Sequence, residues 1–171
     1  MTELRVWYAA RDPYHCAFRM IRLLTWKGDA LLVDQLRLLD MLLMYPSVAL
    51  RMKLPLAFRE NLRALRIPAV KDLFVSLPGT ASIWQDLQLY QSTALKQLAG
   101  RSLLRRDALR DRYASLDQNQ VPPSLLDRVH AENSVQSALM SFLVQDLASL
   151  PASGPDNIFK RAGVPVRGPA A

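Results

Sequence analysis

The sequence predicts a mainly α-helical fold, with a single helical domain over residues 1–150 and a Pro- and Gly-rich tail over residues 151–171. Three observations predict it. Apolar residues recur at helical spacing through most of the first part. Prolines and glycines interrupt these stretches at short intervals, as they do between helices. Apolar and polar residues nowhere alternate for more than a few positions, as they would in a half-buried strand. A small winged-helix-like β-hairpin is compatible with this fold.

The first predicted helix begins at Asp12-Pro13, because Asp12 can cap a helix and Pro13 fits its first position. The helix runs to about Trp26, and Lys27-Gly28-Asp29 forms a turn after it. Its apolar stripe is expected to leave Arg19 and Arg22 pointing elsewhere.

The second predicted helix carries the stretch DQLRLLDMLLMYP and stops at Pro46. Arg37 lies three residues from both Asp34 and Asp40. These charges therefore share one side of the helix and can pair with one another. The rest of the stretch is almost all leucine and methionine, more apolar than a surface helix needs.

Two interpretations of this apolar character stay open. Met41 and Met44 lie on or beside the charged side, so the second half of the helix is apolar nearly all round. Either the chain's own core buries it or a partner protein covers it, since methionine suits adaptable interfaces. A membrane span is disfavoured, because a spanning helix needs about 18 uncharged apolar residues in a row. Residues 30–50 come closest, but Asp34, Arg37 and Asp40 lie near their middle.

The basic residues are unevenly distributed over a chain of net charge +7. Residues 47–75 contain six basic and two acidic residues, and residues 101–112 contain five basic and two acidic residues. A third predicted helix, PLAFRENLRALRIP, would place Arg59, Arg63 and Arg66 on one side. Such a side either contacts phosphates or is a solvated face. The candidate nucleic-acid contacts are Arg59, Arg63, Arg66, Arg101, Arg105, Arg106 and Arg110.

Further helices are predicted later in the chain. A short one covers Val70 to Leu77, and a long one runs from about Thr80 to Ala99 with Gly100 as a left-handed cap. After Pro122-Pro123 a helical pattern resumes to about Leu150, with Val135 among its apolar residues. It is either one continuous helix or a helix interrupted at Asn133-Ser134.

Two alternatives stay open for RSLLRRDALRDRYASL. It forms either a charged helix or a short hairpin that turns near Arg106-Asp107. The hairpin would be the wing of a winged-helix module, with arginines reaching phosphates. The tail contains four prolines and three glycines, so we expect a loop-like or disordered end. Ile158 and Phe159 are its bulky anchors and a candidate docking point.

Signatures of catalysis are missing from the sequence. It has six glycines but neither GxGxxG nor GxxxxGK[ST], and it has neither HExxH nor Gly-x-Ser-x-Gly. Cys16, the one cysteine, is expected to be a buried small side chain, and His15 a surface or interface residue. We therefore expect no catalysis by this chain alone, no cofactor and no metal. The N-terminus does not read as a signal peptide, and the composition fits the cytoplasm.

The segment YHCAFRMIRLLTWKGDALLVDQLRLLDMLLMYPSVA resembles the N-terminal signature of the middle components of ABC three-component systems, the group that includes Lamassu-type bacterial defence. A second segment, LPGTASIWQDLQLYQSTALKQLAGRSLL, resembles the second block of that family. The resemblance covers roughly residues 10–105 and departs from the family at Met41 and Met44, where aromatic residues are common. The matching residues are His15, Arg19, Arg37, Leu39, Asp40, Leu43, Pro46 and Gln91.

This resemblance implies a small non-catalytic scaffold subunit. Its partners would be an SMC- or Rad50-like ABC ATPase and an effector, often a nuclease, that stays silent until foreign DNA is sensed. We expect no membrane partner. The alternative is a stand-alone DNA-binding regulator of winged-helix type. The candidate partner-interface residues are His15, Arg19, Arg37, Asp40, Met41, Met44, Ile158 and Phe159.

Overall fold

The computed structural model of the chain describes residues 9–68 and 76–165, and these are mainly α-helical, as predicted. The predicted helix over Val70 to Leu77 lies outside the described residues except for positions 76 and 77, which are not helical. The α-helices are α1 (Pro13–Lys27), α2 (Val33–Met44), α3 (Leu56–Ala64), α4 (Thr80–Gly100), α5 (Arg106–Arg110), α6 (Pro123–Val135), α7 (Ser137–Ser141) and α8 (Ile158–Ala162). Segments of 3₁₀ or π type are Ala9–Arg11, Pro46–Arg51, Gln118–Gln120, Phe142–Asp146 and Leu147–Ser149. The strands are β1 (Leu31–Leu32) and β2 (Tyr113–Ala114).

Both ends of α1 are formed by the residues that the sequence indicates. The Asp12 carboxylate accepts a hydrogen bond from Tyr14 N at 2.8 Å, and Pro13 is the first helical residue. Gly28 follows in the left-handed conformation, with φ of 69°, and its N–H donates to Leu24 O at 3.0 Å. The helix therefore begins and ends where local chemistry satisfies its free backbone groups.

The second helix, α2, lies in the centre of the core. Leu36, Leu38, Leu39, Met41 and Leu42 are fully buried. The core-helix interpretation of α2 is therefore correct, and the chain itself covers most of its apolar surface. Around it, α1 packs against α2, α4 and α6, and α2 packs against α4.

Two arginines of α1 that lie outside its predicted apolar stripe are nevertheless buried. Arg19 and Arg22 do not point to solvent but are 7% and 6% exposed. The cause is that α1 packs against helices on several sides, so little of it remains for water. Long cationic side chains can be buried in this way only where acceptors meet them, as described below.

The segment after α4 combines both predicted alternatives. The short helix α5 occupies the position expected for the hairpin turn, and Leu104 and Leu116 on either side of it form an antiparallel bridge. The strand β2 in turn pairs antiparallel with β1, with Leu31 opposite Ala114. A winged-helix role for this arrangement stays a prediction.

The left-handed cap predicted at Gly100 is wrong. Gly100 belongs to α4, and the left-handed residue is Ser102 with φ of 60°. The helical pattern after Pro122-Pro123 is interrupted close to the predicted position, because α6 ends at Val135 and α7 begins at Ser137, and Val135 is 83% exposed.

The tail after Pro151 is not uniformly loop-like. Asn157 Oδ1 accepts from Lys160 N at 2.9 Å and caps α8, while Gly163 ends it with φ of 71°. Ile158 is fully buried, and the Phe159 ring lies 6.4 Å from the Trp84 ring of α4, tilted by 60°. This helix therefore packs into the core of the preceding part. The division of the chain at residue 150 stays a prediction.

Candidate functional site

Arg19 and Asp40 form a buried ion pair between α1 and α2. Arg19 Nε donates to Asp40 Oδ1 at 2.7 Å, and Arg19 Nη2 lies 3.4 Å from Asp40 Oδ2. The Asp40 side chain is fully buried and the Arg19 side chain is 8% exposed. The short contact is a charge-assisted hydrogen bond, and removal of either partner would leave the other charge buried.

The pairing of Asp40 with Arg37 that the sequence predicted is wrong. Asp40 pairs with Arg19, and Arg37 pairs with Asp34, whose Oδ1 lies 3.1 Å from Arg37 Nη1. Neighbours three apart on a helix gain only about 0.2–0.5 kcal/mol from such a pair. A buried carboxylate has far more to gain from a cation that reaches it inside the core.

Gln91, near the middle of α4, connects both ion pairs. Its Nε2 donates to Asp40 Oδ2 and to Arg37 O, both at 2.9 Å. Its Oε1 accepts from Arg37 Nε at 3.1 Å. Gln91 is fully buried, so these bonds replace the water that both ends of the amide would otherwise bind. The two blocks of the family resemblance thus meet in one hydrogen-bonded network, which we call the signature network: Arg19, Asp40, Gln91, Arg37 and Asp34.

At one edge the signature network borders a polar pocket of about 400 Å³. Asp34 Oδ2 accepts from Arg112 Nη2 at 3.0 Å, which ties α2 to the residue before β2. The guanidinium of Arg37 lies over the Trp84 ring, 4.4 Å from its centroid. Arg37 is therefore held by stacking as well as by hydrogen bonds, which restricts it to one orientation.

Cys16 lies beside the same carboxylate. Its Sγ is 3.5 Å from Asp40 Oδ2, within reach of an S–H hydrogen bond. Burial raises the pKa of the Cys16 thiol far above its ordinary value of 9.0, and the charge of Asp40 raises it further. Burial alone would lower the pKa of Arg19, but the charge and hydrogen bonds of Asp40 outweigh it, so this pKa is raised. A neutral thiol thus lies beside the buried ion pair of the signature network.

A second buried polar cluster joins α1 to α6, and sequence reasoning missed it. Arg22 Nε donates to Asn133 Oδ1 at 2.9 Å, and Arg22 Nη2 donates to Gln136 Oε1 at 2.7 Å. Asn133 Nδ2 donates back to Arg22 O at 3.1 Å. Burial lowers the pKa of Arg22, while the charge of Glu132 opposes this shift. An arginine outside the apolar stripe of its helix gives no signal of such partners in the sequence.

The chemistry open to this site is limited by its enclosure. Asp40 is fully buried and accepts from Arg19, Gln91 and Cys16, so a substrate cannot reach it without opening the core. Among residues 9–68 and 76–165, no three His, Cys, Asp or Glu side chains are grouped as metal ligands would be. What the network does is fix three helices relative to one another.

The predicted partner-interface residues are divided between core and surface. Met41, Ile158 and Phe159 are buried within the chain, as are Arg19 and Asp40. His15 is exposed, and Met44 and Arg37 are partly exposed. The interface role stays a prediction for the whole set. Of its members, only His15, Arg37 and Met44 expose appreciable surface to a partner in this conformation.

The candidate nucleic-acid contacts are all exposed. Arg59 and Arg63 lie on α3, but this helix ends at Ala64, and Arg66 follows it in the left-handed conformation with φ of 49°. The predicted helical side of three arginines is therefore shortened to two. Arg105 pairs with Asp107 at 2.8 Å on the surface. The others in the segment after α4 are Arg101, Arg106 and Arg110.

Within the described ranges, no helix combines the length and apolar character that a membrane span requires. A comparison with curated proteins and one with solved structures found no match. A family model for the ABC-three component (ABC-3C) system Middle Component 5 matches residues 5–165, which include every residue of the signature network. The chain therefore belongs to the Middle Component 5 family of ABC-three component systems.

Proposed function

We propose that the chain is a non-catalytic adaptor subunit of a prokaryotic defence complex in the cytoplasm. It links an SMC- or Rad50-like ABC ATPase to an effector, such as a nuclease, that acts against phage or plasmid DNA. Family membership supports this, because a middle component is one part of a three-component system. The observation that carries the proposal is a buried contact between three helices, in which Arg19 and Gln91 both donate hydrogen bonds to Asp40.

A buried network of this kind supports an adaptor because it determines shape. Each member satisfies the polar groups of the others, so the helices have one preferred arrangement. A subunit that must contact two partners at once benefits from surfaces held at a fixed distance. The net charge of +7 suits partners with acidic faces.

The linking role can be tested by co-expression with the ABC ATPase and the effector of the same three-component system. We expect the ATPase and effector to co-purify when this chain is present and to separate when it is omitted. The proposal is refuted if the two bind equally well without it, or if it co-purifies with neither.

The non-catalytic role can be tested by replacing the buried ion pair with Arg19→Met and Asp40→Leu together. An adaptor that uses the pair only for packing should keep its protection against phage, measured as efficiency of plating, provided that the double variant is folded. A reaction centre built on Asp40 would lose protection completely while the chain still assembled with its partners.

The second candidate, a stand-alone DNA-binding regulator, is favoured by one observation. Arg59 and Arg63 lie one helical turn apart on α3 and both are exposed. The test is the salt dependence of binding to a labelled DNA duplex, compared with that of the Arg59→Ala, Arg63→Ala double variant. Two lost phosphate contacts should reduce the slope of log K against log salt by about 1.8. Equal slopes would exclude this face as the DNA contact.

A further inference from the structure

An apolar groove lies open between α1, α6 and the C-terminal end of α4. Its volume is about 140 Å³, and its lining includes Ala17, Phe18, Ile21, Leu98 and Leu125. An engineered apolar cavity of about 150 Å³ binds benzene. This groove is therefore large enough for the side chain of one leucine or phenylalanine.

The rim of this groove is cationic. Arg101 lines it and is exposed, and the Arg128 guanidinium lies over the Phe18 ring, 5.4 Å from its centroid. Tyr14 at the same groove is 63% exposed and offers an apolar ring with a polar tip. The exposed Asp127 precedes Arg128 on α6, but successive helix residues point about 100° apart. An apolar pocket with a polar rim is the usual form of a binding hot spot.

We propose that this groove binds a segment of another subunit of the same ABC three-component system, in which a Leu or Phe is flanked by an Asp or Glu. The inference rests on the proposed adaptor function and specifies one of its contact surfaces. The apolar side chain fills the groove, and the carboxylate pairs with Arg101 or Arg128.

Charge and lining favour this occupant over two others. A second copy of the chain also has a net charge of +7, so copies repel one another overall. DNA phosphates could pair with the rim arginines but gain nothing from a lining of Ala, Phe, Ile and Leu side chains. An acidic apolar segment of a protein uses both features.

Two variants with matched controls separate the apolar and ionic contributions. Ala17→Leu places an isobutyl group in the groove, and Ala131→Leu makes the same change at an exposed position of α6 that does not line it. Arg128→Glu reverses a rim charge, and Lys53→Glu reverses an exposed charge that does not line the groove. The leucine introduced at position 17 should displace one Leu or Phe side chain of the partner from the groove. Loss of that buried side chain should weaken binding at least about tenfold. Charge reversal at the rim should weaken it about fivefold.

The experiment measures binding of the full-length chain and each variant to the purified ABC ATPase and effector subunits by biolayer interferometry. Circular dichroism melts establish that each variant is folded, and Arg128→Glu, at an exposed position, keeps the test valid if Ala17→Leu unfolds. We expect weaker binding to one subunit for both groove variants and unchanged binding for both controls.

Other outcomes overturn the inference in distinguishable ways. If wild type binds a subunit and the groove variants bind it equally well, the groove is not the contact, and the adaptor function stands. If wild type binds neither subunit, the adaptor function fails and the groove inference fails with it. If light scattering finds a wild-type dimer that Ala17→Leu converts to a monomer, the occupant is a second copy.

Discussion

Replacement of Asp40 by leucine should remove a large part of the free energy of unfolding. The variant leaves Arg19 charged, 7% exposed and without its carboxylate. Gln91 also loses one of its two acceptors. Breaking a buried pair by removing one partner costs about 3–5 kcal/mol. Domains are stable by only about 5–15 kcal/mol, so the loss is between about a fifth and all of the total.

The double variant Arg19→Met, Asp40→Leu is the control that identifies the cause. It removes both charges, and well-packed apolar replacements of a buried ion pair are often neutral or stabilising. The remaining cost comes from Gln91, whose N–H loses an acceptor, at about 1–3 kcal/mol. We therefore expect the double variant to be more stable than either single variant, with a coupling free energy of about 2 kcal/mol or more.

The assay is urea unfolding of wild type, both single variants and the double variant. It is followed by far-UV circular dichroism at about 222 nm, which reports helix content. The change in the free energy of unfolding is calculated from the urea midpoints, with one m-value used for all variants. The reasoning is refuted if Asp40→Leu costs less than about 1 kcal/mol, a value expected of an exposed pair. It is also refuted if the double variant is no more stable than the single ones.

Three further predictions concern single positions. Because the pKa of Cys16 is raised in the folded chain, the unfolded chain releases this proton first as pH rises above 9.0. Wild type should therefore lose about 1.4 kcal/mol per pH unit relative to Cys16→Ala, measured by urea unfolding from about pH 8 upward. Asn133→Ala should cost about 1–3 kcal/mol and speed hydrogen exchange in α6, since Arg22 loses its Nε acceptor. Gly28→Ala should lower Tm by forcing alanine to a φ of 69°, at a cost of roughly 1 kcal/mol.

The sequence predicts those parts of the fold that depend on neighbouring residues. The start of α1 at Asp12-Pro13 and its end at Gly28 follow from cap chemistry within a few positions. The burial of α2 follows from its many leucine and methionine residues, because exposing apolar side chains to water is unfavourable. The resemblance to middle components also identified the family correctly, because its residue pattern extends over two separated blocks.

The partners of charged residues could not be predicted from the sequence. A helical wheel places Arg37 near Asp40 but contains no information on Arg19, which approaches from another helix. Arg22 and Asn133 are 111 positions apart in the chain, and no sequence pattern connects them. The helix α8 has five residues, too few for its apolar spacing to differ from chance among prolines and glycines.

The arginines of this chain have two different physical roles, and this decides how a mutational scan should be interpreted. Arg19 and Arg22 are buried and bind acceptors on other helices, so their removal destabilises the fold and weakens every contact at once. Arg128 is exposed and lies over an apolar ring at an open groove, so its reversal can change one contact and leave the fold intact. Loss of complex formation at a buried arginine therefore identifies no interface. The same loss at Arg128, with an unchanged Tm, would identify one.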